Sequence, residues 1–330
     1  MLLLTALSGT LFVLPVLVTF GIYFGLDHQR ILECGFHCGS DNSNSSTGSG
    51  NSSTGTGTSG DLPTGANLTA AQYCEKSYAI TPAPGRYTFN PNQWGDTNDT
   101  GSLCINVSIG TGFTNSGSDN QDYAAGFAAT WQYPQGSEDS PVHAFPNADL
   151  NLPSVFPVQL STLSGLDLDV SWAYDPDSTI VDSTNYTGLV AAEVNANVCV
   201  DMFLSSNISD ANSTTGADFE VMVWLGRFGA ATDPIGVADG PQENRTVNGT
   251  TFSLYYGDNS LGQHTITWLA DQNTTDFTGN LGPLLRNLSS YTGPTSDDYL
   301  GYVAFGSEAL YSNRNVTFYV PKLAIEVSVS

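Results

Sequence analysis

The amino-acid sequence predicts an all-β protein, a sandwich of two antiparallel sheets. Three observations carry that expectation. From Asn67 onward, short segments of alternating apolar and polar residues recur between turn-rich stretches, as in sandwiches and unlike βαβ units. The chain is low in charge and rich in Gly, Ser, Thr, Asn and Tyr, a composition usual for extracellular β-sandwiches. Finally, Asp218–Leu225 reads as one strand with two distinct faces. Because side chains alternate along a strand, Phe219, Val221, Val223 and Leu225 form an apolar row suited to a core. Glu220, Met222 and Trp224 form the other row, which sets a carboxylate, a thioether and an indole on one open surface. Strand geometry alone leaves two readings: a surface that grips and cuts a sugar ring, or an edge-strand Glu beside a satellite aromatic cluster.

The predicted strands are Cys104–Ile109, Leu166–Tyr174, Asn195–Leu204, Phe219–Leu225, Thr251–Tyr256, Thr265–Leu269, Tyr299–Phe305 and Asn315–Val329. One short helix is expected near Thr278–Ser289, where Leu281, Leu284, Leu285 and Leu288 share a face. Roughly 260 residues are ample for a single core, so residues 67–330 are expected to form one domain. Cys74 and Cys104 bracket the first predicted hairpin region and are the natural disulfide in an oxidising compartment. Cys199, inside a strand with no neighbouring His, reads as a buried free thiol. Cys34, His37 and Cys38 lack a fourth metal ligand and read as a local or intermolecular disulfide.

Residues 1–26 carry no charged side chain and are long enough to span a bilayer, which takes about 20 residues. With no basic n-region and no small-x-small cleavage site, a retained signal anchor is expected over a cleaved peptide. Residues 27–66 follow as a juxtamembrane segment and linker. From Gly39 to Ala66 the linker is almost entirely Ser, Thr, Gly and Asn, a flexible stalk whose 28 residues span roughly 30 Å. Asn-x-Ser/Thr sequons begin at Asn44, Asn51, Asn67, Asn98, Asn106, Asn185, Asn207, Asn212, Asn244, Asn248, Asn273, Asn287 and Asn315. Their spread favours a secretory route, with the bulk of the chain outside the cytoplasm, anchored through residues 2–26 or secreted if that run is removed. A net charge of −24, from 8 basic against 32 acidic residues, argues against nucleic acid and other polyanions. It fits a secreted protein acting on a neutral polymer, and a monomer is expected.

Several segments, in order, resemble glycoside hydrolase family 12, the fungal-type endo-β-1,4-glucanases and xyloglucanases. They are Tyr87–Gly95, Thr130–Tyr133, Val194–Phe203, the Glu220 strand through Arg227, Asp233–Gly236, Phe252–Gly257 and Phe305–Leu310. The resemblance covers about Tyr73 to the C-terminus. It implies a jelly roll whose inner sheet curves into an open cleft. It also implies Glu220 as nucleophile, Glu308 as general acid/base and Asp201 as the residue that orients the nucleophile. Trp94, Trp131, Tyr133 and Trp224 would line sugar subsites, with Met222 under the scissile unit. For Trp94 and Trp131 the competing reading is plain core, and for Asp201 an isolated polar residue on a cleft floor.

The chain departs from the family pattern at four places. Pro91 stands for an Asn, Tyr133 for a Trp, Ala309 for a Pro and Leu310 for a Phe. Leu310 removes an aromatic beside the acid/base, while Tyr133 keeps a ring for stacking. The acidic insert Ser137–Asp149 is expected to reshape one end of the cleft. The expected activity is retaining endo-hydrolysis of a β-1,4-glucan (xyloglucan, mixed-linkage glucan or amorphous cellulose). The alternative is a catalytically silent carbohydrate-binding module of the same fold. The four scattered histidines imply no metal, and no organic cofactor is expected. A trypsin-like or lipase-like hydrolase is not expected, since the sequence shows no Gly-x-Ser-x-Gly elbow and no credible His partner.

Overall fold

A computed structural model describes residues 69–330, apart from 78, 83–84, 110–123 and 138–139. The expected anchor, the stalk and Cys34, His37 and Cys38 lie outside the described residues. Among the described residues no helix is long and apolar enough to cross a membrane.

Two sheets form the sandwich, and all eight strands expected from alternation are present. The outer sheet runs β1 (Thr69–Tyr73), β3 (Ser102–Ile109), β4 (Phe127–Gln132), β16 (Val316–Val329), β7 (Leu163–Pro176) and β13 (Asp276–Asn280). The inner sheet runs β10 (Glu243–Val247), β11 (Thr250–Asp258), β12 (His264–Ala270), β9 (Phe219–Phe228), β8 (Asn195–Ser205), β14 (Tyr299–Gly306), β5 (Asn147–Leu150) and β2 (Tyr87–Asn90). Two short strands, β6 (Val158–Gln159) and β15 (Ala309–Tyr311), add to β14 and β8. Pairing is antiparallel except between β9 and β12, which run parallel; the chain reaches β12 through the long segment after β9 and the β10–β11 hairpin. That hairpin turns on Asn248-Gly249, both at positive φ (46° and 87°), as a two-residue primed turn requires.

The main core lies between the sheets. On β9 it takes Val221, Val223 and Leu225, all fully buried, with Phe219 packed against it. A smaller cluster sits on the other face of the inner sheet and holds Phe145, Cys199, Met222, Trp224 and Ala304. The period-two division of β9 into a core row and a cleft row is therefore observed.

The helix expected at Thr278–Ser289 does not form. Asp276–Asn280 is instead recruited as β13 by β7, and Thr278 Oγ1 donates to Asp169 Oδ1 at 2.8 Å. Beyond it, Gly282-Pro283 cannot continue a regular helix, and two 3₁₀ turns follow at Gly282–Leu285 and Leu288–Tyr291. The four leucines are still buried, so the pattern marked the core face but not the element. Among the described residues the one α-helix, α1 (Tyr186–Ala191), is capped by Asn185, whose Oδ1 accepts from Gly188 N at 3.0 Å. Cys74 and Cys104 form the expected disulfide, tying the end of β1 to β3. Cys199 is the buried free thiol.

Candidate active site

Strand registry fixes which side chains share the outward face of the inner sheet. Directly opposed residues point the same way. One row reads Tyr302, Phe203, Glu220, Thr265 across β14, β8, β9 and β12. The next reads Thr88, Asp149, Ala304, Asp201, Met222, Thr267, Tyr255 from β2 to β11. A third reads Asn90, Asn147, Gly306, Cys199, Trp224, Leu269. Glu308 follows β14 and docks on Asn197, two positions before Cys199 on β8. The Glu308 N–H donates to Asn197 Oδ1 at 2.9 Å, and Asn197 Nδ2 donates to the Glu308 carboxylate. Glu220 and Glu308 thus flank Asp201 from opposite directions along β8.

The three carboxyl groups feel one another. Burial, then the Glu220 charge, pushes Glu308 up to about 8, with the Asn197 hydrogen bond opposing. Asp201 is raised by burial and by repulsion from both glutamates, and its buried Oδ1 has no hydrogen-bond partner. Glu220 is raised by burial but accepts from Thr265 Oγ1 at 2.7 Å and Asn259 Nδ2 at 3.2 Å, both of which favour its charge. The proton therefore belongs on Asp201 and Glu308 and the charge on Glu220. One ionised and one protonated glutamate in one trough is the arrangement of a nucleophile facing an acid.

A buried chain of hydrogen bonds backs Glu308. Trp131 Nε1 donates to the Tyr174 hydroxyl at 2.8 Å, that hydroxyl meets Ser307 Oγ at 3.0 Å, and Ser307 Oγ donates to Asn197 O at 2.5 Å.

Trp131 and Tyr133 therefore do not line subsites, which corrects the sequence expectation. Both are 0 % exposed. Tyr133 stacks on Trp131 and on His143, with ring centroids 5.9 and 4.8 Å apart, and its hydroxyl donates to Gln93 Oε1 at 2.8 Å. A ring packed in the core offers no face to a sugar. Met222 and Trp224 do face the cleft but are covered to 6 % and 4 % exposure by their own cluster, so they form a floor rather than an open platform. Trp94, in the turn after β2, is 57 % exposed. Leu310 and Ala309 are buried beside Glu308. Of the insert, the described part feeds into β5 and supplies Phe145 to the cleft floor.

Sequence reasoning missed Asn197, Thr265, Asn259 and Asp149. Asn197 was within reach, since it shares β8's cleft-face parity with Cys199 and Asp201. Thr265 and Thr267 likewise alternate with core-facing Ile266 and Trp268. Asn259 sits in a turn, where period two gives no signal.

Comparison with known proteins decides the family. The family model described as glycosyl hydrolase family 12 matches residues 85–328. The chain belongs to that family. It is 30 % identical over 260 residues to a protein from Aspergillus fumigatus named "Probable xyloglucan-specific endo-beta-1,4-glucanase A", covering 78 % of this chain and 92 % of the relative. Against the "Xyloglucan-specific endo-beta-1,4-glucanase A" of Aspergillus niger it is 29 % identical, covering 69 % and 80 %. Among solved structures, Trichoderma harzianum endoglucanase 3 superposes with a TM-score of 0.61 at 24 % identity, covering 80 % of this chain and all of that one. The family 12 xyloglucanase of Bacillus licheniformis superposes with a TM-score of 0.58 at 18 % identity, covering 78 % of this chain and all of that one. These likenesses carry the jelly-roll fold of the family 12 hydrolases, and this chain is a glycoside hydrolase.

Proposed function

We propose that this family 12 hydrolase cuts β-1,4-glucans internally with retention of configuration, with Glu220 as nucleophile and Glu308 as acid/base. The ionised Glu220 carboxylate attacks the anomeric carbon while the Glu308 proton passes to the leaving oxygen. A glycosyl ester on Glu220 results. Glu308, now a base, takes a proton from water, which attacks the ester and restores the original anomer. Asp201 keeps its proton and positions the nucleophile. The single observation that carries the reading is the placement of the three carboxyl groups on one face: Glu220 on β9 and Glu308, held by Asn197, lie on either side of Asp201 along β8.

Xyloglucan is the first substrate to test, because the two curated relatives above bear that name. Trp94 is the open ring available for stacking on a sugar face. The sequon asparagines Asn98, Asn207, Asn212, Asn287 and Asn315 are exposed, which favours a glycosylated protein working outside the cell.

The test is reducing-end release from xyloglucan, mixed-linkage β-glucan and carboxymethylcellulose. Wild type is expected to favour xyloglucan, and Glu220→Gln to lose roughly three orders of magnitude or more while still binding polymer. Wild type and variant that bind equally and are equally inactive would leave a carbohydrate-binding shell instead.

A further inference from the structure

Asp149 takes no part in the chemistry just described, yet it lies on the cleft face. On β5 it opposes Thr88 on one side and Ala304 on the other, and Ala304 in turn opposes Asp201. Two strand steps separate Asp149 from Asp201, a lateral distance of roughly 10 Å. Between them stands the Ala304 methyl, the smallest side chain of the row, packed into the cleft-floor cluster with Phe145 and against Tyr302. Diagonal to Asp149 is Tyr302, whose phenol is raised first by burial and then by the charges of Asp149, Asp201 and Cys199, which sets all of them around one trough.

The direction of that trough follows from the two glutamates. They bracket Asp201 along β8, so a polymer lying between them crosses the strands and passes over the Asp149–Ala304–Asp201–Met222 row. Asp149 is partly exposed, and among the described residues nothing hydrogen-bonds its carboxyl. Burial raises it to about 7, so in mildly acidic medium it is a neutral acid that both donates and accepts. Held without an internal partner on a sugar path, such a group is the complement of a ring hydroxyl.

We propose that Asp149 is a sugar-binding residue of a subsite beyond the catalytic one, hydrogen-bonding a hydroxyl of a glucan unit displaced from the scissile bond toward β2. The inference rests on the glucan-hydrolase reading above. It assigns Asp149 to affinity and chain-length preference, not to bond cleavage.

The test measures oligosaccharide binding by calorimetry in the Glu220→Gln background, where no turnover intervenes, alone and with Asp149→Ala or Asp149→Asn. The Ala change is expected to weaken binding roughly 5- to 10-fold for long oligosaccharides and progressively less for shorter ones. The Asn change, which keeps a donor and an acceptor, is expected to bind within about 2-fold of the parent. In otherwise wild-type enzyme, the Ala penalty falls on KM rather than kcat. Binding by the Ala variant within 2-fold of the parent at every length would overturn the proposal, as would a loss independent of length. Failure of the underlying reading looks different: wild type then releases no reducing ends from any β-glucan, or Glu220→Gln does so at the wild-type rate.

Discussion

Asn197 is the side chain that most directly holds Glu308, the proposed acid/base. Its carboxamide accepts from the Glu308 backbone and donates to the Glu308 carboxylate, a bond that lowers the Glu308 pKa against burial and the Glu220 charge. Asn197→Ala should therefore move the alkaline limb of kcat/KM to higher pH and lower kcat about 10-fold, as the acid loses its orientation. A pH–rate profile checks this, and an unmoved limb would contradict it. The same alternation that singled out Glu220 also carried Asn197 and Asp201 to the cleft face. What sequence reasoning could not weigh at this scale was burial. Trp131 and Tyr133 have the composition of sugar platforms, but only the packing of β4 against its neighbours shows their rings closed off.

At the scale of elements, period two carried the strands and failed where the chain leaves them. The leucines of 281–288 follow a helical spacing, yet long-range pairing with β7 and the Gly282-Pro283 step overrode local propensity. The parallel β9–β12 pairing was equally invisible, because registry between distant strands is a tertiary property. Two elements lend themselves to measurement. Removing the Cys74–Cys104 link by Cys74→Ser is expected to cost roughly 3–4 kcal/mol in urea unfolding, through the freed loop of the denatured chain. Trp131→Ala removes a fully buried indole and the first donor of the chain to Ser307, and should cost about 3–5 kcal/mol. Trp131→Phe keeps most of the volume. It isolates the hydrogen bond and should cost about 1–2 kcal/mol.

For the whole molecule, charge sets a preference for acid. Glu308 and Asp149 have folded pKa values of about 8 and about 7, pushed up chiefly by burial, and Asp201 is raised as well. In the unfolded chain such groups titrate near about 4. The folded state therefore holds more protons, and this stability is present below about pH 4 and lost as pH rises toward 8. Self-repulsion of a chain with net charge −24 acts in the same direction. Below about pH 4 the opposite groups take over. Asp218, lowered first by the Ser206 N–H, and Glu243, lowered first by Arg245, lose their partners' stabilisation on protonation. The thermal midpoint should thus peak near pH 4–5 and fall by pH 8, and Asp149→Asn should flatten the decline. The proposed mechanism comes down to a covalent bond on one strand, and trapping that bond tests it most directly. Incubation with an activated 2-deoxy-2-fluoro cello-oligosaccharide, followed by peptide mass spectrometry, should place one glycosyl group on the β9 peptide at Glu220. A label on another carboxylate, or turnover with no trapped ester, would contradict the account.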